Sequence, residues 1–180
     1  MSRSYSRGFT LIELMVVLVL IAGTLTMAAP AFGDWLAKSR QRNLASAIDN
    51  TIALARTEAI KRNGRVIICI SADQQTCTQS GGWEQGWLVY FDPDNSRTLN
   101  VNEPIIHHES GGSFSRLSAP GNKSVKSYLS FVGNGKPKLL GGGLQAGTIF
   151  VCAPGQNEIR VVMAATGRTR TEHTSTPCPP

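Results

Sequence analysis

A carboxylate embedded in an apolar run is the first group in this chain with chemical consequences. Glu13 follows Gly8-Phe9-Thr10-Leu11-Ile12, and from Leu14 to Ala29 no residue is charged. A carboxylate removed from water needs a cationic partner. Hydrolysis of the Gly8–Phe9 bond would create one, the new amine of Phe9. At a membrane centre the acid would cost roughly 2.5–3.5 kcal/mol, and a disposable signal peptide has no use for it; a plain anchor meets the same objection, softened because Glu13 lies near one end. A second set lies near the C-terminus, Gly167-Arg168-Thr169-Arg170-Thr171. In an extended chain Arg168 and Arg170 project from one face, with the hydroxyls of Thr169 and Thr171 opposite. Guanidiniums ~7 Å apart approximate the spacing of neighbouring phosphates along one DNA strand. Their forked donors, assisted by the threonine hydroxyls, suit phosphate oxygens. The same residues also suit a solvated edge strand whose charges guard against aggregation, and the residues alone leave both readings open. Lys136, Lys138 and Arg160 are further cations that could share the face.

The remaining reactive groups point away from catalysis. Cys69, Cys77, Cys152 and Cys178 are separated by 7, 74 and 25 residues and include no Cys-x-x-Cys pair, so disulfides are expected rather than zinc. Three pairings are possible. The expected one joins Cys69 to Cys77 across a small loop and Cys152 to Cys178, tying the tail to the core. His107 and His108 would point to opposite faces of a strand and cannot readily share a metal, and His173 stands in the tail. Asp92-Pro93-Asp94-Asn95-Ser96 alternates oxygen ligands as calcium loops do. It lacks the glycine and the terminal bidentate glutamate at the expected offsets, so a turn is the expectation. Gly141-Gly142-Gly143 is followed by no Lys-Ser/Thr of a phosphate cradle. No nucleophile–base set has support, and the chain reads as a non-enzyme with no metal and no cofactor.

These groups must be carried by elements that the pattern predicts. Arg3 and Arg7 form a short basic leader of the kind that stays cytoplasmic. Phe9 to Ala29 is 21 residues, which as a helix reach ~31 Å, about one bilayer core. Ala29-Pro30-Ala31 mimics a signal-peptide cleavage site, the rival reading that Glu13 argues against. Beyond Pro30, Leu44, Ile48, Ile52, Ala55 and Ala59 recur at helical spacing, with Arg40, Arg42, Asp49, Arg56 and Lys61 between them. Asn63-Gly64 is a stop signal, its glycine free to turn left-handed. One long helix from about Phe9 to Asn63 is predicted. Strand-like runs follow at 65–71, 86–91, 105–109, 126–132, 147–152 and 158–164, separated by Gly-, Ser-, Asn- and Pro-rich turns. Ser110–Ser113 and Gly141–Gly143 read as flexible loops. Helix first and strands after give an α+β class, with an antiparallel sheet laid on the helix.

Composition bounds the partners only loosely. The chain has 180 residues, 41% of them hydrophobic, and a formal charge of +6. Before Asp34 the charged residues are Arg3, Arg7 and Glu13, which leaves 16 Lys+Arg against 11 Asp+Glu beyond. Such an excess suits nucleic acid or lipid headgroups and equally an ordinary surface.

The run Gly8-Phe9-Thr10-Leu11-Ile12-Glu13-Leu14 resembles the processing motif of type IV prepilins and type II secretion pseudopilins. The resemblance implies a dedicated prepilin peptidase that cuts after Gly8, and methylation of Phe9. It assigns Glu13 to pairing with a neighbouring subunit's N-terminal amine during filament assembly. Pro30 falls where many pilins carry a kinking proline. Ala55-Arg56-Thr57-Glu58-Ala59-Ile60-Lys61-Arg62-Asn63 and Gly86-Trp87-Leu88-Val89-Tyr90-Phe91-Asp92 are similar to the soluble-domain signatures of the GspH/FimT group of minor pilins and pseudopilins. Gly167-Arg168-Thr169-Arg170 resembles the Gly-Arg-x-Arg motif of FimT-type minor pilins, which bind DNA during natural transformation. The implied organisation is a type IV pilin-like α+β fold. Residues 1–8 are a leader, 9–32 a transmembrane and later filament-core helix, and 33–180 a soluble domain holding the rest of that helix. The implied location is the bacterial inner membrane before assembly and the pilus afterwards. The implied partners are other pilins, the peptidase, and the phosphate backbone of double-stranded DNA, held through Gly167, Arg168 and Arg170. A structural minor pilin that binds no DNA and a type II secretion pseudopilin are the alternatives.

A peptidase that cuts behind Gly8 must accept backbone without a side chain there. Gly8→Val is therefore expected to leave the precursor uncut in the inner membrane. A Gly8→Val chain that runs at mature mass on a gel would refute the processing reading.

Overall fold

The computed structural model describes residues 9–179, the side chains of 25–31 excepted. Gly8 and the basic leader lie outside the described residues, as do the side chains of Ala29, Pro30 and Ala31. The chain divides into two compact units, one ending at Leu36 and one beginning at Ala37.

Helix α1 spans Leu11–Arg62. In the first unit its start is fixed by Thr10, whose hydroxyl accepts the Glu13 N–H at 3.3 Å while its carbonyl accepts the Leu14 N–H at 3.2 Å. Thr10-x-x-Glu13 is thus the sequence pattern of a capping box, and it places the acid in the first turn, where the helix dipole favours negative charge. Phe9 and Leu11 are 79% and 77% exposed, and the large apolar side chains on to Ile21 are exposed as well. Among the described residues no helix is long and apolar enough to cross a membrane. The expected span of 9–32 runs into 25–31, whose side chains are outside the description; the backbone there is helical without a break.

In the second unit one face of α1 is the floor of the core. Leu44, Ala45, Ile48, Ile52, Ala55 and Ala59 are all buried, at the helical spacing that the sequence shows. The helix ends in a Schellman arrangement, with Asn63 N–H bonded to Ile60 O at 3.1 Å and Gly64 N–H to Ala59 O at 3.1 Å. The left-handed residue is Asn63 (φ 48°), not the glycine. Asparagine tolerates that region. At Gly64 a Cβ would come within 2.6 Å of the Phe91 ring, which would have to shift.

The single sheet expected from the sequence is two sheets. β1 (Arg65–Ile70), β2 (Gly86–Asp92), β3 (Ile105–Ser110) and β4 (Tyr128–Phe131) form one, in the order β3-β2-β1-β4 and wholly antiparallel. β5 (Gly147–Val151), β6 (Asn157–Met163) and β7 (Thr169–Pro177) form the other. β1 explains its unbroken apolar run by being covered on both faces. Val66, Ile68 and Ile70 join the helix-side core, and Ile67 and Cys69 join a second cluster with Leu88 and Tyr90. The expected strand at 126–132 is trimmed to Tyr128–Phe131. Ser110–Ser113, expected to be a flexible loop, instead ends β3 and enters a 3₁₀ turn, Gly111–Phe114. Phe114 holds it, buried and stacked on Trp87 with ring centroids 6.5 Å apart.

Polar groups register the helix on both sheets. Trp87 Nε1 donates to the buried Thr51 hydroxyl at 3.1 Å. Gln41, also buried, donates to the carbonyls of Val151 and Asn157, each at 2.8 Å. The disulfides are Cys69–Cys77 and Cys152–Cys178, with Cα separations of 5.5 and 5.4 Å. The second ties the end of β7 beside the Gln41 contacts. Its loss in a Cys152→Ser/Cys178→Ser variant should cost about 3 kcal/mol. A fall of roughly 6–12 °C in melting temperature is expected for a unit of this size. Calorimetry checks it, and an unchanged melting temperature would deny the tail any anchoring role.

Candidate functional site

The tail residues singled out by the sequence are organised by a hairpin rather than by a free extended segment. β7 was missed because Thr169–Pro177 contains no large apolar residue; it is an edge strand held by its ladder to β6. The connection is a tight turn, with Gly167 N–H bonded to Ala164 O at 2.8 Å and Ala164 N–H to Arg168 O at 2.9 Å. Gly167 carries φ 79°, the left-handed position that closes such hairpins and favours glycine. It is also tightly enclosed, since a Cβ there would lie 3.0 Å from Gly135 O and 3.2 Å from Pro137 Cδ. The glycine of the Gly-Arg-Thr-Arg run therefore aims the arginine beside it.

Arg168 leaves this turn exposed, one residue before β7 begins. With Arg56 and Thr169 it lines a groove of about 430 Å³ between α1 and the turn. Arg56 Nη1 donates to Gly167 O at 3.2 Å, fixing the turn to the helix and adding a second guanidinium. The acid nearest to Arg56 along α1 is engaged elsewhere. Glu58 accepts Arg62 Nε at 2.7 Å and Lys61 Nζ at 3.4 Å. The Arg62 hydrogen bond, first of all, holds the Glu58 carboxyl below its ordinary range. Lys136 is exposed in the 133–137 turn that abuts Gly167, and Lys138 is half-buried two residues on. Among the described residues Arg168 makes no ion pair with a carboxylate.

Arg170 and Arg160 differ from it. The pairings Val162↔Arg170 and Arg160↔Glu172 put these residues on the sheet face turned away from Ile159, Val161 and Met163. There Arg170 Nε is 2.6 Å from Glu172 and Arg160 Nε is 2.6 Å from Glu158. Arg160 also lies over the Phe150 ring at 5.8 Å. The outer face of β6 and β7 is thus a band of alternating charge with little net sign, and uncompensated positive charge concentrates at the turn. Arg56 is the participant that sequence reasoning passed over. Its position among the solvent-facing residues of α1 was legible, but its contact with Gly167, 111 residues away, was not.

The other marked residues do not gather into this site. His107 and His108 alternate along β3, and His107 sits 3.9 Å from Glu109. Asp92–Ser96 opens the connection from β2 to β3.

Residues 44–167 match the family described as Type II transport protein GspH. The chain belongs to that family. In this GspH-family chain residues 3–28 also match the prokaryotic N-terminal methylation motif, a stretch that contains Gly8, Phe9 and Glu13. Over 100 residues it is 32% identical to the Type IV narrow pilus major component PilA5 of Thermus thermophilus, covering 54% of this chain and 79% of that protein. Its fold is similar to that of the type IV minor pilin FimU of Pseudomonas aeruginosa. In one crystal form the TM-score is 0.55 at 17% identity, over 77% of this chain and 96% of that one. In another it is 0.53 at 17% identity, over 75% and 98%. A GspH-family chain with this fold is a subunit of the type IV pilin class, a minor pilin or a GspH-like pseudopilin, and not an enzyme.

Proposed function

We propose that this chain is a minor type IV pilin of the FimT kind that binds the phosphate backbone of extracellular DNA during natural transformation. The observation that carries the reading is Arg168, exposed beside a glycine-determined turn, without a carboxylate partner among the described residues, and accompanied by Arg56 and Lys136. Before assembly residues 9–32 span the inner membrane, and a prepilin peptidase cuts behind Gly8 to free Phe9. In the filament the exposed apolar start of α1 is covered by other pilins, and Glu13 meets a neighbouring N-terminal amine. A second reading is a pseudopilin of a type II secretion system that touches no DNA. It is favoured by the family description and by Glu158 and Glu172, which offset Arg160 and Arg170.

Contacts of this kind go to phosphate, so affinity should hardly depend on sequence and should fall with salt. With two to four phosphates neutralised, the log–log salt slope is expected at about −2 to −4. One copy should bind in the range ~10⁻⁴–10⁻⁶ M, and capture would need several copies or other basic pilins. Arg168→Gln should weaken a DNA mobility shift more than Arg170→Gln, because Glu172 already offsets Arg170. The double variant should fold, assemble, and lose both the shift and transformation. If it shifts DNA like the parent at low salt, the surface is an ordinary charged edge and the pseudopilin reading takes over.

A further inference from the structure

The connection between β2 and β3 buries acids whose carboxylate oxygens are incompletely hydrogen-bonded. Asp92, the last residue of β2, is 0% exposed, and neither of its carboxylate oxygens has a hydrogen-bond partner. Glu103 is 9% exposed; its Oε2 accepts the Asn100 N–H at 2.8 Å, while Oε1 is buried and unbonded. Asp94 is exposed, its Oδ1 accepting the Ser96 N–H at 2.8 Å. One oxygen from each of the three acids lies within 4.8 Å of the others. The cation at hand is Arg65, 3.8 Å from Asp92 Oδ2. Its guanidinium is committed to Asn95 Oδ1 at 3.0 Å and to Ser130 Oγ at 2.6 Å. Burial above all, then the neighbouring Asp94, raises the Asp92 carboxyl above its ordinary range. Burial also raises Glu103, with Asp92 and Asp94 adding to it. An unpaired buried carboxylate is strongly unfavourable, so this cluster calls for either a cation or a shared proton.

The sequence supplies the pattern that would complete it. Counting from Asp92 as the first position of a twelve-residue calcium loop, Asp94 is third, Ser96 fifth, Thr98 seventh, Asn100 ninth and Glu103 twelfth. The terminal glutamate, expected to be missing, is therefore present as Glu103, beyond the Asp92–Ser96 turn. The sixth position, where such loops place glycine for a sharp turn, is Arg97, and its φ is 71°. An arginine stands in the left-handed backbone that the glycine would adopt. The middle positions converge as well. Ser96 Oγ donates to Thr98 O at 3.0 Å and accepts from Asn100 Nδ2 at 2.9 Å.

We propose that Asp92, Asp94 and Glu103, completed by Ser96, the Thr98 carbonyl and Asn100, form a calcium-binding loop between β2 and β3. Oxygen ligands on opposite sides of Ca²⁺ stand ~4.8 Å apart, against ~4.2 Å for the tighter octahedron of Mg²⁺. Carboxylate oxygens within 4.8 Å of one another accommodate either ion; the twelve-residue spacing favours calcium, and an all-oxygen set suits a hard cation. A cavity of about 550 Å³ beside the loop, lined by Tyr90, Arg97, Asn100 and Glu103, gives an ion and its waters a way in. Bound calcium would draw the 93–104 connection onto the sheet. The rival arrangement is a proton shared between Asp92 and Asp94, which needs no metal.

The test uses the full chain in detergent, stripped with a chelator. Calcium chloride at 5 mM should raise the melting temperature by at least 5 °C, with a midpoint in the ~10⁻⁴–10⁻³ M range of weaker loops. Magnesium at the same concentration should give less than half that shift. Terbium luminescence, excited through the neighbouring Tyr90, should rise on binding and be displaced by calcium. Asp94→Asn alters an exposed side chain, so it should fold and raise the calcium midpoint at least tenfold; Glu103→Gln should abolish the response. The proposal is overturned by no calcium shift, by an equal shift from magnesium or from sodium chloride at matched ionic strength, or by an Asp94→Asn chain with the parent's midpoint.

Discussion

The buried face of α1 is the constraint on which the second unit depends. Leu44, Ile48, Ile52, Ala55 and Ala59 are at 0–2% exposure. Burying each large aliphatic among them contributes about 1.5–3 kcal/mol relative to leaving it in water. A stripe of that kind has to lie on a flat apolar surface, and the helix-side faces of β1 and β2 supply one. Alanines at 45, 55 and 59 let the backbone approach closely. The Trp87–Thr51 hydrogen bond then removes the freedom to slide, because an indole N–H buried without its acceptor would be penalised. Sheet, disulfides and hairpin are all arranged from that registered contact.

Chemistry is distributed over this frame by what it leaves uncompensated. The outer face of β6 and β7 carries Arg160, Arg170, Glu158 and Glu172 in paired contact, so it is polar without strong sign. At the β6–β7 turn pairing with acids stops. Gly167 permits the backbone, Arg56 fixes it to the helix, and Arg168 is presented outward. On the opposite sign, the β2–β3 connection collects three carboxylates around one point. The first unit leaves a different imbalance. Its apolar side chains from Phe9 to Ile21 are exposed, and a surface of that kind marks an interaction with lipid or protein.

Much of this was legible in the residues. The helix and the first sheet were, because helical periodicity and unbroken β-branched runs report burial directly. β7 was not, since an edge strand of threonine, glutamate and histidine has no hydrophobic alternation to read. The division into two sheets was equally hidden, being set by long-range pairing rather than local pattern. At the candidate interface Gly167, Arg168 and Arg170 could be named from spacing, but the offset of Arg170 by Glu172 and the contact of Arg56 with Gly167 could not. The oxygen-ligand positions of a calcium-type loop, from Asp92 to Glu103, were present in sequence without its glycine. A turn was the expectation there because Glu103 lies outside Asp92–Ser96 and arginine fills the sixth position, whose left-handed backbone angle only the structure reveals.

In the proposed function Glu13 links the membrane-borne precursor to the assembled subunit, so a change there tests the filament role most directly. The decisive measurement compares the parent chain and Glu13→Val in the inner-membrane and sheared-filament fractions, with N-terminal processing followed by mass. The parent should be found processed in filaments. The variant should be inserted and processed equally well yet stay in the membrane, because the new N-terminal amine of a neighbour has no carboxylate to meet. Recovery of Glu13→Val in sheared filaments at the parent's level would contradict this.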